Sequence, residues 1–247
     1  MDDYKNVKTV AILTAAGVGS RMHISVPKQF LTVEEKPIIV YTMEAFQNHP
    51  AVDEIVVACL AGYESLLKAY ATEYGITKLR AVVTGGATGQ ESITNCLNFL
   101  KEDGLEDGAI VMIHDGNRPL VPSSVITESI ATCYNNGNAV AHVPSTEVIV
   151  ISHDQKTCDS QIDRDVVKRT QTPHTGRFGD VYADYQKMIE MGKTGVVAYA
   201  QVLMDLGKTV YLSLGSEKNF KITTQEDLDM LKALVSHNQG YSRVLKK

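Results

Sequence analysis

Residues 11–30, AILTAAGVGSRMHISVPKQF, run from an apolar stretch through Gly17 and Gly19 into Arg21 and then Lys28. Small residues over 15–20 let the chain approach an anion closely and turn backbone N–H groups toward it, and two cations follow, so the chemistry this pattern suits is the holding of a phosphate. The dinucleotide-binding pattern G-x-G-x-x-G is not met, because Met22 stands where the third glycine belongs and Pro27 blocks a helix soon after. A Walker A loop fails too, since no Gly-Lys-Ser/Thr follows. IHDGNRP, residues 113–119, sets Asp115 and Arg118 just beyond a predicted strand, and an aspartate there can ligate a hard cation such as Mg2+. GGATGQESITN, residues 85–95, is a second glycine bend, containing Gly86 and leading into a helix whose start carries Ser92. NFKITTQEDL, residues 219–228, puts Lys221 in a short extended piece before the last helix. A tight turn with surface cations, or a strand-end acid capping a turn, would account for any one of these fragments alone.

The elements that must position them alternate. Apolar, β-branched runs at 9–14, 54–59, 80–84 and 109–113 read as buried strands. Between them lie helical stretches at about 37–48, 63–74 and 91–102, the last with Ile93, Leu97 and Leu100 at helical spacing. Such a βαβαβαβ series predicts a parallel sheet wrapped by helices, with ligands at the carboxyl ends of the strands, where the motifs fall. A helix follows near 123–135. Residues 139–170 then alternate and carry turn residues, as a hairpin or extended arm would, with Val140, Val143, Val148 and Val150 as apolar surface for a twin arm to cover. Helices are expected near 176–191 and 197–206, a strand at 209–213, and a last helix from about 224, capped by Thr224 with Asp227 three residues on.

A chain of 247 residues, 44% hydrophobic, has enough apolar material for a sizeable core, and one domain is the expectation. With 24 basic against 29 acidic residues and no long basic run, it lacks the electrostatic footprint for general nucleic-acid or membrane binding, so any phosphate must be met by a few placed cations. The start, MDDYKNVKTV, is polar and acidic where a signal peptide would be basic then apolar, and no apolar run approaches a membrane span; a cytoplasmic protein is expected. Cysteines at 59, 96, 133 and 158 match no zinc or CxxC spacing and are read as reduced, packed residues. His114 and His174 are read as packed imidazoles rather than bases.

Taken in order, AAGVGSRM…PKQF, GG…ESI.N, HDGNRP, DRDVVKRTQTP and NFKITTQEDL resemble the cytidylyltransferases that act on polyol phosphates, over about residues 8–235. One branch of that family, in isoprenoid synthesis, uses 2-C-methyl-D-erythritol 4-phosphate, and the other, in teichoic-acid or capsule synthesis, uses ribitol 5-phosphate. The resemblance implies an α/β fold, a Rossmann-like nucleotidyltransferase with a mostly parallel sheet flanked by helices and a protruding β-arm. It also implies a homodimer joined through the arms, and Mg2+-dependent conversion of CTP and a polyol phosphate to a CDP-polyol and pyrophosphate. Carried over by position, Arg21 and Lys28 match the cations on the triphosphate and the reacting α-phosphate, and Lys221 the lysine beside that phosphate. Ala15, Ala16, Gly17, Gly19 and Ser20 match the phosphate cradle, Gly86 and Ser92 the nucleotide side, with Ser92 facing cytosine. Asp115 matches the residue near metal and polyol, Thr172 a polyol contact, and Arg164 the arm arginine that reaches the partner subunit's polyol phosphate. A phosphate nucleophile is already anionic, so this reaction needs positioning and charge neutralisation rather than a base.

The chain departs from the family pattern at several places. Gly89 replaces an arginine, Gly116 and Asn117 replace a small pair in HDAxRP, and Pro144, Ser145, Thr146, Glu147 and Val148 stand for P-x-x-D-T. His174 replaces a glutamine, and Val197, Ala198, Tyr199 and Ala200 lack the aspartate of T-D-x-A. These changes bear on the polyol side and leave two other readings open: a sugar-phosphate nucleotidyltransferase using another nucleotide, whose loop would read more like GxGTR, and a non-catalytic nucleotide-binding homologue.

Overall fold

The computed structural model describes residues 3–17, 26–196 and 198–244, with side chains as far as residue 236. The first strand, β1 (Thr9–Ala15), shows why a continuous apolar run forms the middle of a sheet: Ala11 and Leu13 enter the core on one face while Val10 and Ile12 enter the core on the other. A small ribbon, β2 (Thr32–Val33) and β3 (Lys36–Pro37), precedes α1 (Ile38–Gln47). Then come β4 (Glu54–Cys59), α2 (Glu64–Glu73), β5 (Leu79–Thr84), α3 (Gly89–Glu102) and β6 (Ile110–Asp115). The second half holds α4 (Ser123–Asn136), β7 (Asn138–Pro144), β8 (Ile149–Ile151), β9 (Ser160–Ile162) and β10 (Lys168–Arg177). It ends with α5 (Phe178–Glu190), α6 (Tyr199–Asp205), β11 (Leu212–Leu214) and α7 (Gln225–Val244).

Seven strands form one sheet in the order β11-β7-β10-β6-β1-β4-β5, in which β10 runs antiparallel to both neighbours and every other pairing is parallel. Helices α1, α2 and α4 cover one face through Met43, Phe46, Leu67 and Ile130, and α3, α5 and α6 cover the other through Leu97, Tyr185 and Val202. From β1 the chain moves outward to β4 and β5, then returns to place β6 on the opposite side of β1. The loops leaving β1 and β6 therefore diverge, and a crevice opens at their carboxyl ends, where ligands settle in sheets of this kind. α7 closes one side of it: Leu228, Leu231 and Val235 pack with Val33, Ile38 and Ile222. Its start is a reciprocal cap, since Asp227 N–H donates to Thr224 Oγ1 at 3.2 Å while Asp227 Oδ2 accepts from Thr223 and Thr224 N–H.

Four expectations need correction. The fourth predicted strand runs to Asp115, which is its last residue rather than one beyond it. The predicted strand at 209–213 is Leu212–Leu214, because the Asn138 side chain takes the Thr209 carbonyl and the Tyr211 N–H, and ladder pairing begins only after them. Most of the expected arm belongs to the sheet: Val140 and Val143 are buried in β7, and β10 is a ten-residue interior strand. Only residues 145–167 project, around the hairpin β8–β9, where Val148, Val150 and Ile162 are exposed. Cys59, Cys96 and Cys133 are buried free thiols as expected, but Cys158 is exposed in that hairpin. Among the described residues no helix is long and apolar enough to cross a membrane.

Candidate functional site

β1 ends at Ala15, and the chain leaves it through Ala16 and Gly17 into residues 18–25; Gly19, Ser20 and Arg21 therefore lie outside the described residues. Gly17 faces open space, with nothing within 4 Å of where a Cβ would stand. Its turn is held from below by Gln29, a buried side chain that sequence reading passed over: Nε2 donates to the Ala15 carbonyl at 2.7 Å and the Gly17 carbonyl at 3.1 Å. With those carbonyls occupied by the amide, the turn's acceptors are kept from an approaching anion. Lys28 sits one residue before Gln29 in the single helical turn Lys28–Phe30, whose Phe30 ring stacks on Tyr63 at 4.7 Å.

The second glycine bend touches the first. A Cβ on Gly85 would lie 2.2 Å from Ala16 Cβ, so this close approach requires glycine. Gly86 N–H donates to Ser92 Oγ at 3.1 Å, and Ser92 Oγ donates to the Thr88 carbonyl at 2.9 Å. Thr88 in turn caps α3 by accepting from Glu91 N–H, and Glu91 accepts from Ala87 N–H. Ser92 thus braces this bend from a buried position while lining the space between the two loops.

That space is a cavity of about 460 Å³ whose lining includes Ala15, Gly17, Lys28, Gly86 and Ser92. Beside it lies a smaller one of about 230 Å³, lined among others by His114, Arg118, Thr172, His174 and Ala198. The two share Thr14, Asp115 and Lys221. A hollow of about 470 Å³ near α2 and β5 contains none of the motif residues.

Asp115 is the hinge of this arrangement. Its Oδ1 accepts from Lys221 Nζ at 2.9 Å and its Oδ2 from Arg118 Nε at 2.8 Å, and its side chain is 13% exposed. Burial alone would raise the carboxyl pKa, but the Lys221 and Arg118 charges outweigh it and hold the group well below the usual carboxylate range. Asp115 N–H donates to Thr172 Oγ1 at 3.1 Å, and Thr172 lies 3.1 Å from His114 Nδ1. The other ring nitrogen of His114 faces the Arg118 carbonyl at 3.4 Å, so it carries the proton and Nδ1 accepts from the threonine hydroxyl. Burial drives the His114 pKa down to about 3 and that of His174 to about 4, so both rings are neutral packing groups. His174 Nδ1 accepts from Ala200 N–H at 3.4 Å, which ties the start of α6 to the smaller cavity.

Two departures acquire a physical reading. A Cβ on Gly116 would stand 2.8 Å from the Thr14 carbonyl and from Ile39 Cδ1, so the alanine of HDAxRP does not fit this backbone unless its neighbours shift. Ala198 leaves the smaller cavity an apolar patch where the family pattern has a carboxylate nearby. Arg164 is exposed on the turn after β9 and lines neither cavity of its own chain. Among the described residues no three of His, Cys, Asp and Glu cluster as metal ligands. Asp115 is the carboxylate at the shared border, and one carboxylate suits Mg2+ where phosphate oxygens and water would supply the ion's remaining ligands.

The family model for 2-C-methyl-D-erythritol 4-phosphate cytidylyltransferase, IspD, matches residues 9–237. The chain is 42% identical over 232 residues to a ribitol-5-phosphate cytidylyltransferase of Lacticaseibacillus paracasei, covering 93% of this chain and 98% of that one. It is 36% identical over 222 residues to a 2-C-methyl-D-erythritol 4-phosphate cytidylyltransferase of Alkaliphilus oremlandii, covering 90% and 92%. The crystal structure of 4-diphosphocytidyl-2C-methyl-D-erythritol synthase from Anaerococcus prevotii superposes with a TM-score of 0.78 at 25% identity, covering 93% of this chain and 99% of that one.

Proposed function

The chain belongs to the 2-C-methyl-D-erythritol 4-phosphate cytidylyltransferase family, enzymes that make a CDP-polyol and pyrophosphate from CTP and a polyol phosphate, and we propose that its own acceptor is ribitol 5-phosphate. The observation that carries the mechanism is the shared border of the two cavities: a nucleotide in the larger and a polyol phosphate in the smaller meet at Thr14, Asp115 and Lys221. The 42% identity, over 93% of this chain, to a ribitol-5-phosphate enzyme supports the ribitol acceptor.

In this reading one oxygen of the polyol phosphate attacks the α-phosphorus of CTP, a P–O bond forms, the bond to the β-phosphate oxygen breaks, and pyrophosphate leaves with the electron pair. A phosphate monoester is largely dianionic at neutral pH, so no side chain has to remove a proton first. Lys28, Lys221 and Arg21 neutralise charge that gathers on the α-phosphate and the leaving group. The glycine loops around Gly17 and Gly86 seat the triphosphate, and Arg118 holds Asp115 toward the border. Mg2+ carried by the triphosphate and held by Asp115 would supply further neutralisation of the phosphate oxygens.

Pyrophosphate release measured against a panel of nucleotides and polyol or sugar phosphates is the test. CTP with ribitol 5-phosphate is expected to give the highest kcat/KM. Preference for the erythritol phosphate would overturn the acceptor, preference for another nucleotide would overturn the CTP assignment, and no turnover with any pair would leave a binding protein.

The projecting segment supports a homodimer. Val148 is 66% and Val166 71% exposed, and apolar side chains on an unpaired hairpin are the kind of surface a twin arm covers. Arg164 on that segment would then act in the neighbouring subunit, its planar guanidinium gripping a phosphate bidentately. Mixing an inactive Lys28→Ala protein with an inactive Arg164→Ala protein, with one tagged to verify exchange, is expected to restore activity, because a mixed dimer rebuilds one intact site. Verified mixed dimers without recovered activity would put Arg164 in its own subunit's site or outside catalysis.

A further inference from the structure

Lys221 lies on a stretch without regular secondary structure between β11 and α7, yet its ammonium must hold one place at the border of two cavities. The stretch is fastened on two sides. From β10, Gln171 exchanges two hydrogen bonds with Ser216, Nε2 to its carbonyl at 2.9 Å and Oε1 from its N–H at 3.1 Å, and Asn219 Nδ2 donates to the Thr172 carbonyl at 2.7 Å. From the loop after β6, Arg118 Nη1 donates to the Asn219 carbonyl at 2.7 Å. The residue next to Lys221 is held twice by Asn117: Ile222 N–H donates to the Asn117 carbonyl at 2.9 Å, and the Asn117 side-chain amide donates to the Ile222 carbonyl. Asn117 is 5% exposed and is one of the places where the chain departs from the small pair of HDAxRP.

We propose that Asn117 is a positioning residue for Lys221, fixing the backbone at Ile222 so that the ammonium stays on Asp115 and at the border where the two substrates meet. A small side chain at 117 could not reach the Ile222 carbonyl, which would then lack its amide partner, and the backbone beside the lysine would keep one of the two bonds that Asn117 gives it. A misplacement of a reacting or stabilising group by about 1 Å costs roughly 10²-fold in rate. Because Asn117 also lines the larger cavity, a direct contact with the nucleotide is the competing account. The proposal rests on Lys221 being part of the active site.

The experiment is a double-mutant cycle on full-length protein, with single-turnover kcat, KM for CTP and thermal midpoint measured for Asn117→Ala, Lys221→Ala and the pair. Asn117→Ala alone is expected to lower kcat by roughly 10- to 100-fold with KM for CTP little changed. In the Lys221→Ala background it is expected to add less than about twofold, because its effect passes through the missing ammonium. Asn117→Leu, which keeps about the size and stays uncharged but loses the donor, is expected to behave alike and serves if the alanine variant does not fold. The same fold-loss in both backgrounds, or a rise in KM as the main effect, would overturn the proposal. A Lys221→Ala protein as active as the parent would instead overturn the site assignment beneath it.

Discussion

Replacing Lys28 with alanine is expected to lower kcat by about 10²-fold or more while CTP binding weakens less. The argument starts from charge. In the ground state the triphosphate's negative charge is spread over many oxygens and shared among several donors, so loss of one cation is partly made up by the rest. In the transition state charge builds on the α-phosphate oxygens and the departing pyrophosphate, and only groups already in place respond. Lys28 is held in place: it begins a helical turn anchored by the Phe30–Tyr63 stack and by Gln29's two bonds to the glycine turn, and it lines the larger cavity. Single-turnover rates and KM for CTP, compared between parent and variant, separate the two contributions. Equal losses in both would show that Lys28 only holds the nucleotide.

Removing divalent metal with EDTA is expected to abolish turnover, and adding back Mg2+ to restore it. The described residues offer one carboxylate at the border, already accepting from Lys221 and Arg118, so the protein alone makes no cage and the ion would bind with the triphosphate. Affinity for Mg2+ should accordingly rise sharply when CTP is present. From sequence, Asp115 reads as a strand-end acid that asparagine could replace at little structural cost. The structure changes that expectation, because Asp115→Asn would leave two cations facing a neutral amide in a mostly buried place; loss of thermal stability is expected together with loss of activity. The metal test therefore rests on chelation and re-addition, and full activity in EDTA would sink it.

What was legible in the residues and what was not follow a physical division. The two-faced burial of β1, the helical spacing of Ile93, Leu97 and Leu100, and the Thr224–Asp227 cap are local patterns, and each appears where the sequence put it. The ribbon β2–β3 left no such trace, since its turn residues Glu34 and Glu35 take positive φ of 49° and 64° without the Asn-Gly pair that normally marks that geometry. Residues 139–143 read as an arm because they alternate and run on into turn residues, whereas Ala139, Val140, Ala141 and Val143 are all buried in an interior strand.

The candidate site divides the same way. Composition, charge and the ordered motifs by themselves determined an α/β chain with glycine loops and charged residues at strand ends, because glycine, lysine, arginine and aspartate are visible in their types and short spacings. Tertiary structure alone decided which of them meet. Lys221 and Asp115 are 106 residues apart in sequence and 2.9 Å apart in space. The supports of Lys221 come from Asn117, Arg118, Gln171 and Asn219, ordinary polar residues whose side chains become specific only when the crossover from β5 to β6 and the antiparallel entry of β10 bring three strand ends together. Hydrogen bonds reach about 3 Å, so a partner a hundred residues away is invisible until the fold has closed that distance.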